Sequence, residues 1–487
     1  MSLWRIKSLE QLEREAYSGT RLERSLGSFN LVLLGIGAII GAGLFSITGI
    51  ATSENAGPAV IISFLLASVG CTFAALCFSE LASMIPISGG AYTYTYATLG
   101  EFIAWIIGWS LILEYAAGAT MVAISWGAYV VSLLQDWHIH LPYYLVASPW
   151  QHTELPDGSK VYGMINLPPL IIMALLTFLL IRGIRKSAKL NAILVGIKVV
   201  VVLIFIAIGI NYIDTNNYHP FIPPNTGVFG EYGWSGIFRG AGIVFIAYIG
   251  FDAVSTAAQE VKRPQKDLPI GILGSLVVCT ILYILFAVVM VGLVNYKELD
   301  VAAPVAIAIN KTPFLWLNDL VKLAIIAGLT SVILVLLLGQ SRIFYTMSKD
   351  GLIPSVFSKV HSRFHTPWVS NLILLAFVGP FAAFAPLSLV GHLTSIGTLL
   401  AFIIVCTGVI VLRKTRPELH RPFKVPFVPL IPILGIITCL CLMLSLEWET
   451  WARLLVWLVV GLAIYFLYGR EHSHLHRLEE KHQRIEH

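Results

Sequence analysis

An all-α membrane protein of about twelve helical spans is the fold class this sequence predicts. Three observations carry it. Of 487 residues, 57% are hydrophobic and only 12% are charged, against roughly 25% charged in ordinary soluble domains. So few polar residues cannot shield so large an apolar mass from water, and lipid must cover much of the surface. Apolar stretches long enough to cross ~30 Å of hydrocarbon recur along the whole chain, and lysine and arginine are unequally shared between the segments that join them.

The stretches fall at 29–50, 58–84, 99–134, 166–184, 190–212, 236–258, 270–294, 318–344, 367–384, 388–412, 427–446 and 449–468. Met1 to Ser28 is polar and charged, without the short apolar core of a cleavable signal, so the first span is expected to direct insertion. An even number of spans puts both termini on one side. With that side inside, the inner segments and span ends hold 25 Lys and Arg, while the outer loops hold three: Lys160, Lys297 and Lys311. That bias predicts a multi-pass protein of the inner membrane with both termini cytoplasmic. It also makes the net charge of +5 a topology signal and gives no reason to expect nucleic acid as a partner.

No joining segment is long enough for a folded domain. Gln135 to Ile165, with Pro142, Pro149, Pro156 and Gly158, reads as an outer loop with room for a short helix. The six cysteines lie inside apolar stretches and read as small apolar fillers, not as a disulfide or zinc framework. His472, His474 and His476 sit in a charged tail without metal-site company, so neither a metal nor another cofactor is expected.

Spans 1 and 6 are irregular. Span 1 carries Gly35, Gly37, Gly41 and Gly43, four glycines in nine residues near mid-bilayer, and span 6 carries Gly240, Gly242 and Gly250 before Asp252. Each glycine weakens a helix interior by ~1 kcal/mol relative to alanine. A broken helix inside a membrane is tolerated only where its freed N–H and C=O groups meet protein, water or ligand. One such span is more simply a close-packing surface. Recurrence five spans later fits two inverted five-span repeats with a central site at the breaks.

Ionisable residues deep in spans should face a cavity or a partner. Lys198 lies roughly 10–14 Å along the helix from Lys189. It either snorkels toward the cytoplasm or is held inward as a candidate proton carrier, and position alone favours neither. Glu114, mid-span 3, reads as functional. Asp252 reads as a cap that orients the broken helix. Glu80, Arg239, Lys322 and Arg453 lie near interfaces, where snorkelling accounts for them.

Several motifs together resemble bacterial permeases of the amino acid–polyamine–organocation (APC) superfamily, in the branch related to cationic amino-acid transporters. They are Gly35 to Phe45, Ile85-Pro-Ile-Ser-Gly-Gly-Ala-Tyr92, Gly108-Trp-Ser-Leu-Ile-Leu-Glu114-Tyr115, Ala247-Tyr-Ile-Gly-Phe-Asp-Ala-Val-Ser255 with Glu260-Val-Lys-Arg-Pro-Gln265, Gly339-Gln-Ser-Arg342, and Lys349-Asp-Gly-Leu-Ile-Pro354. The likeness covers nearly the whole chain. It implies a 5+5 inverted-repeat (LeuT-like) core at 29–212 and 236–412, two peripheral helices at 427–468, cytoplasmic ends at 1–28 and 469–487, and alternating access.

It further implies that a substrate carboxylate meets the N–H groups of Ala42, Gly43 and Leu44, where a half-helix N-terminus offers donors and a positive dipole end. The substrate ammonium is then expected at carbonyls of Ile39, Ile246 and Ile249, with Gly41, Glu114, Phe245 and Ala247 completing the site. Lys198 matches a span-5 lysine that takes the place of a sodium ion in proton-coupled relatives, with Thr330 and Ser331 as its expected neighbours. The bulky stretch Val335-Leu-Leu-Leu338 favours a small or medium neutral amino acid. The implied partners are an amino acid, protons and the lipid bilayer, and the oligomeric state is unknown. An exchanger of amino acids or polyamines without proton movement is the nearest alternative. A membrane enzyme lacks a catalytic motif here, and a sensor would want an output domain.

Overall fold

The computed structural model describes residues 5–7, 26–85, 90–154, 160–182, 187–256, 258, 261–301, 303–364 and 366–477. Residues 86–89, Glu260 and most of the expected cytoplasmic ends lie outside them. The described chain is overwhelmingly helical, and each of the twelve apolar stretches falls on helix. Eight helices are long and apolar enough to cross a membrane, and four shorter ones are apolar. Apolar residues run all round most of them, the pattern of a helix with protein on one side and lipid on the other.

Helix α1 (Ser28–Ile39) is followed after a break by a helical run at 43–56, then α2 (Val60–Met84), α3 (Gly90–Thr98) and the long α4 (Glu101–Asp136). The loop that follows, expected on the outer side, is more structured than the sequence suggests. Strands β1 (His152–Glu154) and β2 (Lys160–Tyr162) form an antiparallel hairpin with His152 opposite Tyr162. Next come α5 (Leu167–Arg182), α6 (Ser187–Gly209), α7 (Gly233–Val244), the short α8 (Ala253–Thr256) and α9 (Pro264–Leu293). The chain continues through α10 (Pro304–Asn310), α11 (Leu315–Lys349), α12 (Trp368–Phe384), α13 (Leu387–Thr415), α14 (Leu430–Ser445) and α15 (Trp448–Ile464).

At the centre, α4 packs against α11 and α13, while α9 packs against α1 and α2. Outward, Leu175 and Phe178 on α5 and Val456 and Val459 on α15 are exposed, rows of apolar surface that suit lipid and not water. Between helices in lipid, cohesion comes from close contact and hydrogen bonds, because lipid tails are as apolar as leucine. The junction of α4 and α15 is an example. Trp109 Nε1–H donates to Trp457 O at 2.7 Å and Trp457 Nε1–H donates to Trp109 O at 2.9 Å. Their rings stack with centroids 4.5 Å apart.

Two of the four residues expected to snorkel do not. Glu80 is 1% exposed and receives Arg413 through two bonds of 2.9 and 2.6 Å, together with the Val425 N–H at 2.7 Å. Lys322 is also buried and pairs with Asp136 at the C-terminal end of α4. A charge with a partner inside the protein has no reason to stretch to the headgroups.

Candidate functional site

The two glycine-rich segments are breaks, and they face each other. Ile40 closes α1 in an extended conformation (φ −71°, ψ 102°), its N–H reaching Ile36 O. The chain resumes where Gly41 O accepts from the Leu44 and Phe45 N–H groups at 3.1 and 3.2 Å, and it continues in π turns over Gly43–Ile47. The second helix tightens after α7 into a 3-10 turn, Phe245–Tyr248, and Ile249 is extended (φ −62°, ψ 136°). Gly250 then takes φ +121°, the left-handed region that favours glycine. Its N–H goes to Asp252 Oδ1 at 3.2 Å, so Asp252 caps the break as the sequence suggests.

Contact between the breaks is very close. A Cβ on Gly43 would stand 2.3 Å from Ala247 Cα, and one on Gly250 would stand 2.8 Å from the Ala38 carbonyl. Tyr283, from α9, bridges them: its hydroxyl lies 2.8 Å from both Ile39 O and Ala247 O. One hydroxyl proton serves two carbonyls, so the ring ties both half-helices to α9. Ile246 O likewise already accepts the Ile249 N–H at 3.1 Å. A carbonyl has two lone pairs, which leaves Ile39 and Ile246 one acceptor position each. Tyr283→Phe removes the shared donor and is expected to cost about 1–3 kcal/mol, read as a lower melting temperature of the detergent-purified protein. An unchanged melt would show that the tie is not stabilising.

Lys198, on α6, is 1% exposed and does not snorkel. Its Nζ donates to Gly37 O at 2.6 Å and to Ile40 O at 3.1 Å. In an unbroken helix those carbonyls would accept from residues 41 and 44, but Leu44 N–H has turned to Gly41 O. The break thus exposes the negative end of a half-helix, and the ammonium occupies it. The stem of the lysine crosses α11 at Gly328, where a Cβ would stand 2.4 Å from Cγ. Thr330, expected beside the amine, accepts from Trp126 Nε1 at 2.9 Å and donates to Ile326 O. Ser331 is buried.

Ala42, Gly43, Leu44, Ile246 and Ala247 are buried at the breaks. Phe245 packs on Phe402 of α13, ring centroids 5.5 Å apart. Glu114 is buried in α4, and its Oε2 has no hydrogen-bond partner among the described residues. The adjacent Tyr115 hydroxyl makes a long contact of 3.5 Å to Asp252 Oδ2. A cavity of about 10 Å³ lies here, lined by Ala38, Tyr115, Ile249, Gly250, Asp252, Ala253, Val332, Val335 and Leu336. It has room for about one water, so the site is shut. The larger groove, about 510 Å³, is lined by Trp150, Phe381, Phe384, Leu389 and neighbours. It is apolar, and its aromatic residues are among those exposed on the outside of the protein. We place the site at the breaks because polar groups converge there and not in the groove. Sequence reasoning missed Tyr283 and Gly328. The signal was slight: a lone tyrosine and a lone glycine in long apolar helices.

Two broken helices meeting at an enclosed polar centre, within a bundle of lipid-facing helices, define a multi-pass membrane protein built as a transporter is. Comparison with known proteins gives the particular family. A family model described as amino acid permease matches residues 26–466, and the chain belongs to that family. It is 44% identical to a branched-chain amino acid permease of Bacillus subtilis, over 98% of this chain and 99% of the relative. It is 42% identical to a methylthioribose transporter of the same organism, over 98% and 100%. A chloroplastic cationic amino acid transporter of Arabidopsis thaliana is 34% identical, over 94% and 90%.

Proposed function

We propose that the protein imports a neutral aliphatic amino acid of small or medium size across the cell membrane, driven by protons and working by alternating access. The observation that carries this reading is the seat of Lys198, an amine enclosed in protein and bonded to the carbonyls of the first break. An ionisable group there can sense, through the break itself, whether substrate is bound. Substrate size and polarity are supported by the aliphatic wall of Ala38, Val332, Val335 and Leu336 and by the branched-chain permease among the relatives.

In this reading the chain has twelve spans. The segments 29–212 and 236–412 are two inverted repeats, 427–468 is peripheral, and both termini are cytoplasmic. The substrate carboxylate is held by the N–H groups of Ala42, Gly43 and Leu44. Its ammonium is held by the free lone pairs at Ile39, Ile246 and Ile249, with Glu114, Phe245 and Ala247 around the side chain. Lys198 is charged when the site faces outward and gives its proton to the cytoplasm as substrate leaves, with Ser331 and Thr330 on the neighbouring helix. Net movement comes only from differential binding of substrate and proton to the two states.

Uptake into proteoliposomes of a labelled panel tests it: branched-chain, small neutral and cationic amino acids, with methylthioribose added. Accumulation of a neutral aliphatic amino acid that rises with an inward proton gradient is expected. Accumulation of arginine or methylthioribose in its place would overturn the substrate class. Uptake indifferent to the gradient would favour an exchanger.

A further inference from the structure

The two ends of the described chain meet. Glu101 N–H donates to Arg5 O at 2.8 Å, and Lys7 N–H donates to Tyr96 O at 3.2 Å. Lys7 Nζ lies 2.9 Å from Asp350 Oδ1, and the other carboxylate oxygen takes the Tyr92 hydroxyl at 2.7 Å. From the C-terminal side, Ser473 donates to Glu101 Oε2 at 2.5 Å and Tyr465 donates to Glu101 Oε1 at 3.1 Å. His474 N–H donates to Asp350 O at 3.0 Å. Arg5 Nη2 lies 2.9 Å from His476 Nδ1. A guanidinium only donates, so the imidazole accepts and joins the two ends directly.

Chain ends ordinarily fray unless something ties them down. Here two buried acidic residues, Glu101 and Asp350, each touch both ends, one end through the carboxylate and the other through the backbone. Their positions give this a consequence. Glu101 opens α4, which carries Tyr115, and Asp350 follows α11, which carries Val332, Val335 and Leu336. These helices wall the central cavity, and α3 reaches the ends of both, Tyr92 donating to Asp350 and Tyr96 to Glu101. The packing is tight at the backbone too: Gly351 (φ +81°) sits where a Cβ would be 2.3 Å from His472 O.

We propose that the N- and C-terminal segments form one latch, closed over the ends of α3, α4 and α11, which must release before the site can open at that end. The latch itself is independent of any transport activity. Its role as a gate rests on the alternating-access reading above.

The test uses the full chain in detergent, as wild type, Lys7→Gln, Lys7→Arg and Ser473→Ala, with timed trypsin cleavage after Arg470 and Arg477 followed by mass spectrometry. Lys7→Gln leaves a buried carboxylate without its cation, so tail cleavage should speed up on the order of tenfold, although position 7 is remote in sequence. Lys7→Arg should restore the wild-type rate. Should Lys7→Gln not fold, Ser473→Ala supplies the reciprocal readout, faster hydrogen exchange at residues 5–7. Wild-type rates in both measurements overturn the latch. In proteoliposomes, a lower KM for substrate offered from the latch side, with the opposite KM unchanged, supports the gate. A loosened tail with both KM values unchanged overturns the gate while leaving the function proposal standing. Loss of that proposal instead appears as a wild type that transports nothing yet still protects its tail.

Discussion

Replacing Lys198 by alanine is expected to abolish proton-driven accumulation, lowering gradient-dependent uptake about a hundredfold or more. The amine makes two charge-assisted bonds to carbonyls of the first break, each worth about 1.5–3 kcal/mol. Their loss leaves Gly37 O and Ile40 O facing an apolar void. Two consequences can be separated. If the lysine is the coupling group, Lys198→Ala should still exchange labelled for unlabelled substrate, and its residual uptake should be flat with external pH. If the lysine merely ties α6 to the break, exchange and accumulation should fall together, and thermal stability with them. Proton-driven accumulation that survives in Lys198→Ala would remove the coupling role altogether.

The second large effect is expected at Gly43. An added methyl there would meet the backbone of Ala247 at 2.3 Å, and backbone cannot swing aside as a side chain can. Gly43→Ala must therefore push the breaks apart, an overpacking cost of about 1–3 kcal/mol. Because Gly43 and Ala247 both belong to the proposed substrate site, uptake should fall by about tenfold or more. Gly41→Ala is the matched control. Its methyl would meet Val332 at 3.4 Å, an ordinary contact, so the melting temperature should stay near wild type. Equal damage from both substitutions would mean that flexibility, and not the closeness of the two half-helices, is what the glycines supply.

The contrast between these glycines and the tyrosine beside them explains what was legible in the sequence. Breaks announce themselves by composition, because several glycines in one apolar stretch are a local fact. The depth of Lys198 is also local, a count of residues from the last cation of the inner loop. Its choice between snorkelling and inward burial was not, since it depends on carbonyls 161 and 158 residues away. Glu80 and Lys322 were misread for the same reason. Their partners, Arg413 and Asp136, are 333 and 186 residues distant, and depth alone cannot show a pairing of that kind. Tyr283 acts across the fold on two carbonyls while looking, along α9, like any aromatic in lipid. The hydroxyl of Thr330, on α11, accepts from Trp126, 204 residues away.

The reciprocal bonding of Trp109 and Trp457 carries a mechanical meaning. Indoles in membrane proteins commonly anchor a helix at the headgroups, but each of these gives its single donor to the other's backbone. Sliding α15 along α4 by one residue would break both bonds at once, so the two helices share one register. The outermost helix is therefore an outrigger of α4, with Val456 and Val459 turned to the lipid. Any tilt of α4 that widens the central site must sweep that apolar fin sideways through the acyl chains. Membrane thickness and viscosity would then act on the rate of opening through a helix that lines no part of the cavity.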